Sequence, residues 1–162
     1  MDAHYYRVDL AWHRDRRGML CSPELKTPAP SNGCIEVATP PEFPKGVEGI
    51  WSPEHLFTAA ISSCLMTTFL AVAENSRLDF VSFECAAKGK LDKQDNQWMM
   101  TEVLLEPVVK IRDEKDQERA LKVLQKAEAA CLITKSVRAQ VIMQPHIEVV
   151  TESIAGEPAD QK

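Results

Sequence analysis

The sequence predicts an α+β fold. Three observations carry this: strand patterns that come in adjacent pairs, two long helical patterns, and no regular strand–helix alternation of the kind that builds parallel crossovers. With 162 residues and 44% hydrophobic side chains, the chain is long enough for one ordinary domain with a core, placed at 1–150. Nineteen Lys and Arg against 24 Asp and Glu leave a net charge of −5 without a basic tract. That excludes the clustered cations that nucleic acid or an anionic membrane surface requires.

The N-terminus alternates: Tyr6, Val8, Leu10 and Trp12 are interleaved with Arg7 and Asp9, as in a strand. Arg16-Arg17-Gly18 reads as a turn into a second strand near Met19–Cys21, giving a hairpin. From Ser22 to Gly49, six prolines and three glycines forbid regular structure except near Cys34–Val37. Loops this long in a compact domain tend to cover a site or a partner.

Ser52-Pro53-Glu54 is a helix start. Serine caps, proline occupies the first position, where a missing N–H costs nothing, and an acid sits in the first turn. This helix is predicted to reach about Asn75. Its 18 uncharged residues, Leu56 to Ala73, are long enough for a membrane span. Five Ser and Thr inside the run and the lack of flanking cation clusters argue instead for a helix buried in protein. It is apolar around most of its circumference, so a second copy of the chain is expected to supply part of its cover.

Two strands follow, Val81 to Leu91 and Met100 to Ile111, joined by the turn Asp95-Asn96 as an antiparallel hairpin. In the second, Val103, Leu105, Val109 and Ile111 share a face. Asp113 to Ala130 is an amphipathic helix with Ala120, Val123, Leu124 and Ala127 on its apolar stripe. Arg138 to Val149 returns to strand, and 151–162 reads as a disordered tail. No apolar leader precedes the first strand, so a cytoplasmic location is expected. In such a reducing compartment five cysteines need not form structural disulfides.

Cys64 lies mid-helix and Cys131 continues the stripe of the second helix. Taken alone, each is an ordinary small core residue. No Cys-x-x-Cys or His-x-x-x-His spacing supports zinc, and neither metal nor cofactor is predicted. Together, however, Ser52-Pro53-Glu54-His55-Leu56-Phe57-Thr58-Ala59-Ala60-Ile61-Ser62-Ser63-Cys64 and Lys126-Ala127-Glu128-Ala129-Ala130-Cys131 resemble the two cysteine segments of the osmotically inducible protein C and organic hydroperoxide resistance family.

The resemblance, over roughly Tyr6 to Val149, implies antiparallel sheets wrapped around two long central helices in an intertwined homodimer. It implies a thiol peroxidase in which Cys64 attacks an organic hydroperoxide, Cys131 resolves the sulfenic acid as a disulfide, and a dithiol or lipoyl-type reductant resets the pair. It also implies a hairpin arginine, Arg17 (or Arg16), and the helix-start Glu54 as site residues. The family commonly has proline after the second cysteine, where this chain has Leu132. Cys21, Cys34 and Cys85 match no family position and are read as structural or incidental, Cys85 on the buried face of its strand. A non-enzymatic redox-sensing or binding module on the same fold is the alternative.

The chemistry sets a requirement. An ordinary thiol, with pKa about 8.5, is only a few per cent ionised near neutrality. Making it mostly thiolate takes roughly 2.7 kcal/mol. A guanidinium about 4 Å away, at an effective dielectric near 20, supplies about 4 kcal/mol before desolvation. The dipole of the first helix acts only over its first turn and cannot reach Cys64. A position near the C-terminal end of the second helix disfavours a thiolate at Cys131, which suits a resolving thiol. Glu54 lies about 15 Å along the helix axis from Cys64, so a site containing both is expected to take Glu54 from the partner subunit.

Overall fold

The computed structural model describes residues 3–26 and 32–150; the predicted tail at 151–162 lies outside the described residues. The chain divides into two compact units, 1–57 and 58–162, with the boundary inside a helix.

In the first unit, β1 (Asp9–Arg14), β2 (Arg17–Cys21) and β3 (Cys34–Ala38) form an antiparallel sheet in that order. The hairpin turn is Asp15-Arg16, with Arg14 opposite Arg17 and Asp15 at φ 44°. The predicted turn at Arg16-Arg17-Gly18 is therefore displaced: Asp15 takes the left-handed conformation that short polar side chains tolerate, and Arg17 begins β2. Gly18 is then a strand residue, and a Cβ there would come 3.0 Å from the Ala11 carbonyl oxygen. Tyr6 and Val8 precede β1 rather than belonging to it.

α1 spans Pro53–Asn75, as the cap signals predict. Ser52 is buried; its Oγ accepts the His55 N–H (3.3 Å), and its carbonyl accepts the Leu56 N–H (3.0 Å). By length and composition α1 could cross a membrane. Ile61, Leu65, Phe69 and Ala73, four apart on one stripe, are buried, whereas Met66 and Leu70 are exposed. The expected burial all round is thus met on one face only within this chain.

The second unit pairs β4 (Ser82–Gln94) and β5 (Gln97–Ile111) as a long antiparallel hairpin across Asp95-Asn96, both at positive φ, the geometry of tight hairpin turns. Val103, Leu105, Val109 and Ile111 are buried as their alternation predicts. Phe69 of α1 stacks on Phe83 of β4, ring centroids 4.8 Å apart. Fully burying such side chains contributes about 1.5–3 kcal/mol each.

The expected last strand is two, β6 (Gln140–Met143) and β7 (His146–Val149), both parallel to β5. The sheet is therefore mixed rather than purely antiparallel. The step between them at Gln144-Pro145 faces the stretch of β5 that holds Pro107. A proline has no N–H for a neighbour strand, so the break falls where the ladder has nothing to lose.

Between β5 and β6 run a 3-10 turn at Glu114–Asp116, α2 (Gln117–Ala130) and the short α3 (Leu132–Ser136). Ala120, Val123, Leu124 and Ala127 are buried, and Cys131, one turn on, is buried with them.

Candidate active site

Cys131 closes α2 and opens α3. Its backbone is extended (φ −62°, ψ 116°), and it serves at once as C-cap of α2 and N-cap of α3. The expected place of Cys131 at the C-terminal end of the second helix is met, and a second helix start is added to it. The chain turns at the cysteine, and the first N–H groups of a new helix follow it; such groups have no partner within their own helix.

Two of those groups, the N–H of Leu132 and of Ile133, act on Cys64. Burial acts to raise the Cys64 thiol. Hydrogen bonds from the Cys131 thiol, the Ile133 N–H, the Thr68 hydroxyl and the Leu132 N–H outweigh it and hold the group below its ordinary value of 9.0. The Cys64 Sγ lies 4.0 Å from Thr68 Oγ1 on the next turn of α1. Hydrogen bonds to the charged form of an acid favour that form. Backbone and side-chain donors thus act on Cys64 in the direction that the chemistry requires.

Cys131 moves the other way. Burial raises its thiol first, and the hydrogen bond to Cys64 raises it further, against an opposing contribution from Thr134, whose hydroxyl donates to Cys131 Sγ across 3.2 Å. The Cys64 thiol, half-buried, is lowered, and the Cys131 thiol, fully buried, is raised. The structure brings Cys64 and Cys131 together.

In the first unit, Arg17 donates from Nη1 to Glu36 Oε1 (3.3 Å), and His13 lies 3.4 Å from the same carboxylate. The carboxylate beside Arg17 is therefore Glu36, across the β2–β3 ladder. Arg16 and Arg17 line an open cleft of about 360 Å³ with Leu10, Trp12, Val37 and Pro53. Glu54 occupies the first turn of α1, half-buried.

Sequence reasoning missed Thr68, Leu132, Ile133, Thr134 and Glu36. The one local signal was Leu132-Ile133-Thr134, where two β-branched residues directly after Ala129-Ala130-Cys131 mark a point at which a helix prefers to break. A further correction concerns Cys21 and Cys34, which are joined as a disulfide; direct opposition across β2 and β3 puts them together, and pairing register is not visible in composition. Cys85 is half-buried rather than buried. Its thiol is raised by burial, with the Glu106 carboxylate adding to the rise against a Glu106 backbone hydrogen bond.

The model of the OsmC-like protein family matches residues 46–145. The chain belongs to the OsmC-like family. Among solved structures, an OsmC-like protein of unknown function, VCA0330 from Vibrio cholerae, superposes with TM-score 0.76 at 24% identity, covering 88% of this chain and 99% of that one. An organic hydroperoxide resistance protein from Elizabethkingia anophelis gives 0.66 at 18% identity over 91% and 99%. The uncharacterized protein YmaD of Bacillus subtilis (strain 168) is 21% identical over 147 residues, 89% of this chain and 93% of its own. At these identities the OsmC-like neighbours share the fold with this chain.

Proposed function

We propose that this OsmC-like protein is a thiol-dependent peroxidase acting on organic hydroperoxides. The observation that carries the reading is the Cys64 sulfur held by the Cys131 thiol and by the N–H groups of Ile133 and Leu132. The Cys64 thiolate attacks the terminal peroxide oxygen, the O–O bond breaks, and the alkoxide leaves and takes up a proton as alcohol. The resulting sulfenic acid condenses with the Cys131 thiol, releasing water and forming a disulfide, which spares Cys64 from overoxidation. A dithiol or lipoyl-type reductant in the cytoplasm then restores both thiols.

By the family resemblance, Arg17 and Glu54 complete the site, within a homodimer in which Glu54 of the partner subunit serves. The exposed Met66 and Leu70 of α1 support such a dimer, because they offer apolar surface to a second copy. One equivalent of cumene hydroperoxide is expected to consume two thiols and leave a Cys64–Cys131 crosslink in the peptide map. Retention of both thiols defeats the reading.

One observation favours a second reading, a redox sensor that is oxidised once and resets slowly: Cys131 is 1% exposed, so half of the disulfide is closed to a reductant. Sustained peroxide consumption with a dithiol distinguishes the enzyme, which turns over, from the sensor, which stops after one equivalent.

A further inference from the structure

A second pair of cysteines stands apart from the first in chemistry and setting. Cys21 and Cys34 face each other directly across β2 and β3, Cα atoms 4.1 Å apart. The next rung outward is hydrogen-bonded, Ser22 N–H to Gly33 carbonyl at 3.1 Å. The cysteines therefore occupy the rung without ladder hydrogen bonds, where opposed side chains approach most closely.

The return of the chain to that rung is built in. Gly33 sits at φ 74°, and a Cβ there would lie 2.7 Å from the Leu25 carbonyl oxygen, so only glycine lets the loop close on Cys34. Both cysteines are partly exposed, unlike Cys131.

The first unit has little else to hold its strands. Among its described residues Ala38 is the one hydrophobic side chain in the buried core. What joins β2 to β3 is the backbone ladder, the Arg17–Glu36 ion pair and the disulfide. A covalent link at the mouth of a loop removes closure entropy from the open chain. Where packing is thin, that link decides how often the strands separate.

We propose that Cys21 and Cys34 form a second redox couple, independent of Cys64 and Cys131, which exchanges with low-molecular-weight thiols and disulfides and so locks or frees the strands that carry Arg17 and Glu36. In the oxidising direction, one cysteine thiolate attacks a sulfur of a small disulfide and expels a thiolate. The other cysteine thiolate then attacks the protein sulfur of the mixed disulfide and expels the second. Two protein thiols give one disulfide, the small disulfide becomes two thiols, and the two protons pass to the released thiolates. Reduction is the reverse, with two small thiols as the electron source. No hydroperoxide enters, so the proposal stands or falls apart from the peroxidase reading.

The test equilibrates the full chain in buffers of varied reduced to oxidised glutathione and maps free thiols by alkylation. Amide exchange is followed in parallel. Cys21 and Cys34 are expected to become alkylatable together as the ratio rises, with secondary structure retained. Exchange at 17–21 and 34–38 should then accelerate by about tenfold to a hundredfold, the range that loop-closure entropy permits, while 82–111 stays unchanged. Cys21→Ser should reproduce the fast exchange whatever the buffer, and Cys64→Ser should leave the transition at the same ratio. The proposal is overturned if the pair resists reduction until the chain unfolds, if the two thiols stay reduced in oxidised glutathione, if reduction leaves exchange unaltered, or if the transition moves with Cys64→Ser.

Discussion

The Thr134 hydroxyl donates to the sulfur of Cys131 across 3.2 Å, one turn into the helix whose first N–H groups serve Cys64. A single reversal of the chain at Cys131 therefore serves both sulfurs: it faces one with Thr134 and the other with Leu132 and Ile133. The two thiols depart from the same ordinary value in opposite directions because donors outweigh burial at Cys64, whereas at Cys131 burial and the hydrogen bond to Cys64 outweigh Thr134.

Leu132→Pro tests the donors. Proline fits the first position of a helix but removes the N–H that Cys64 accepts. Leu132 is the weakest of the four donors, so alkylation of Cys64 by iodoacetamide at neutral pH should slow by about twofold to fivefold. The near-ultraviolet spectrum should be unchanged. An unaltered rate would remove Leu132 from the account.

Cys131→Ala should slow the first step, because it removes the thiol hydrogen bond that lowers Cys64, and make the second impossible. One equivalent of hydroperoxide is then expected to give Cys64 sulfenic acid, and excess to give sulfinic acid, read as successive mass increments on the Cys64 peptide. Loss of the buried sulfur should cost about 1–2 kcal/mol of stability through the cavity left behind, measurable as a lower urea midpoint.

The stability of the reduced protein should depend on pH with a change of sign. Cys64 is held below 9.0 in the folded chain. Between that folded value and 9.0 the unfolded chain binds more protons, and stability rises with pH. Cys131 and Cys85 are held above 9.0. Their contribution is complete below 9.0 and is lost as pH climbs through their folded values. Urea midpoints measured across this range should rise and then fall, and Cys64→Ser should abolish the rise and weaken the fall, because Cys64 also raises Cys131.

Gly89→Ala should destabilise the second unit. A Cβ on Gly89 would collide with Thr58 Oγ1 on α1 and lie 2.5 Å from Met100 Cε. Overpacking of this kind costs about 1–3 kcal/mol. Thr58→Ala in the same chain should recover part of the loss, because it removes the nearer atom.

The ion pair of Arg17 and Glu36 is partly solvated, with side-chain exposures of 28% and 34%. Glu36→Gln should therefore change the urea midpoint by less than the equivalent of about 1 kcal/mol. Arg17→Met should lower kcat/KM for cumene hydroperoxide by at least about tenfold if the guanidinium serves the thiolate as proposed. Equal rates in both variants and the wild type would exclude Arg17 from the chemistry.

Local features were legible in the residues themselves. Ser52-Pro53 sets the start of α1, Asp95-Asn96 sets the β4–β5 turn, and alternation marks the buried face of β5. Each depends on neighbours within a few positions, where steric and hydrogen-bonding preferences act without the rest of the chain. Cys64 and Cys131 stood out for the same reason, each within its own segment. What surrounds their sulfurs was decided only by tertiary structure. Donation from Leu132 and Ile133 to Cys64, the opposition of Cys21 and Cys34, and the pairing of Arg17 with Glu36 all join residues on different elements. Hydrogen bonds and charges act over a few ångströms of space, and only the packing of α3 against α1 and the register of β2 on β3 bring those atoms within that range.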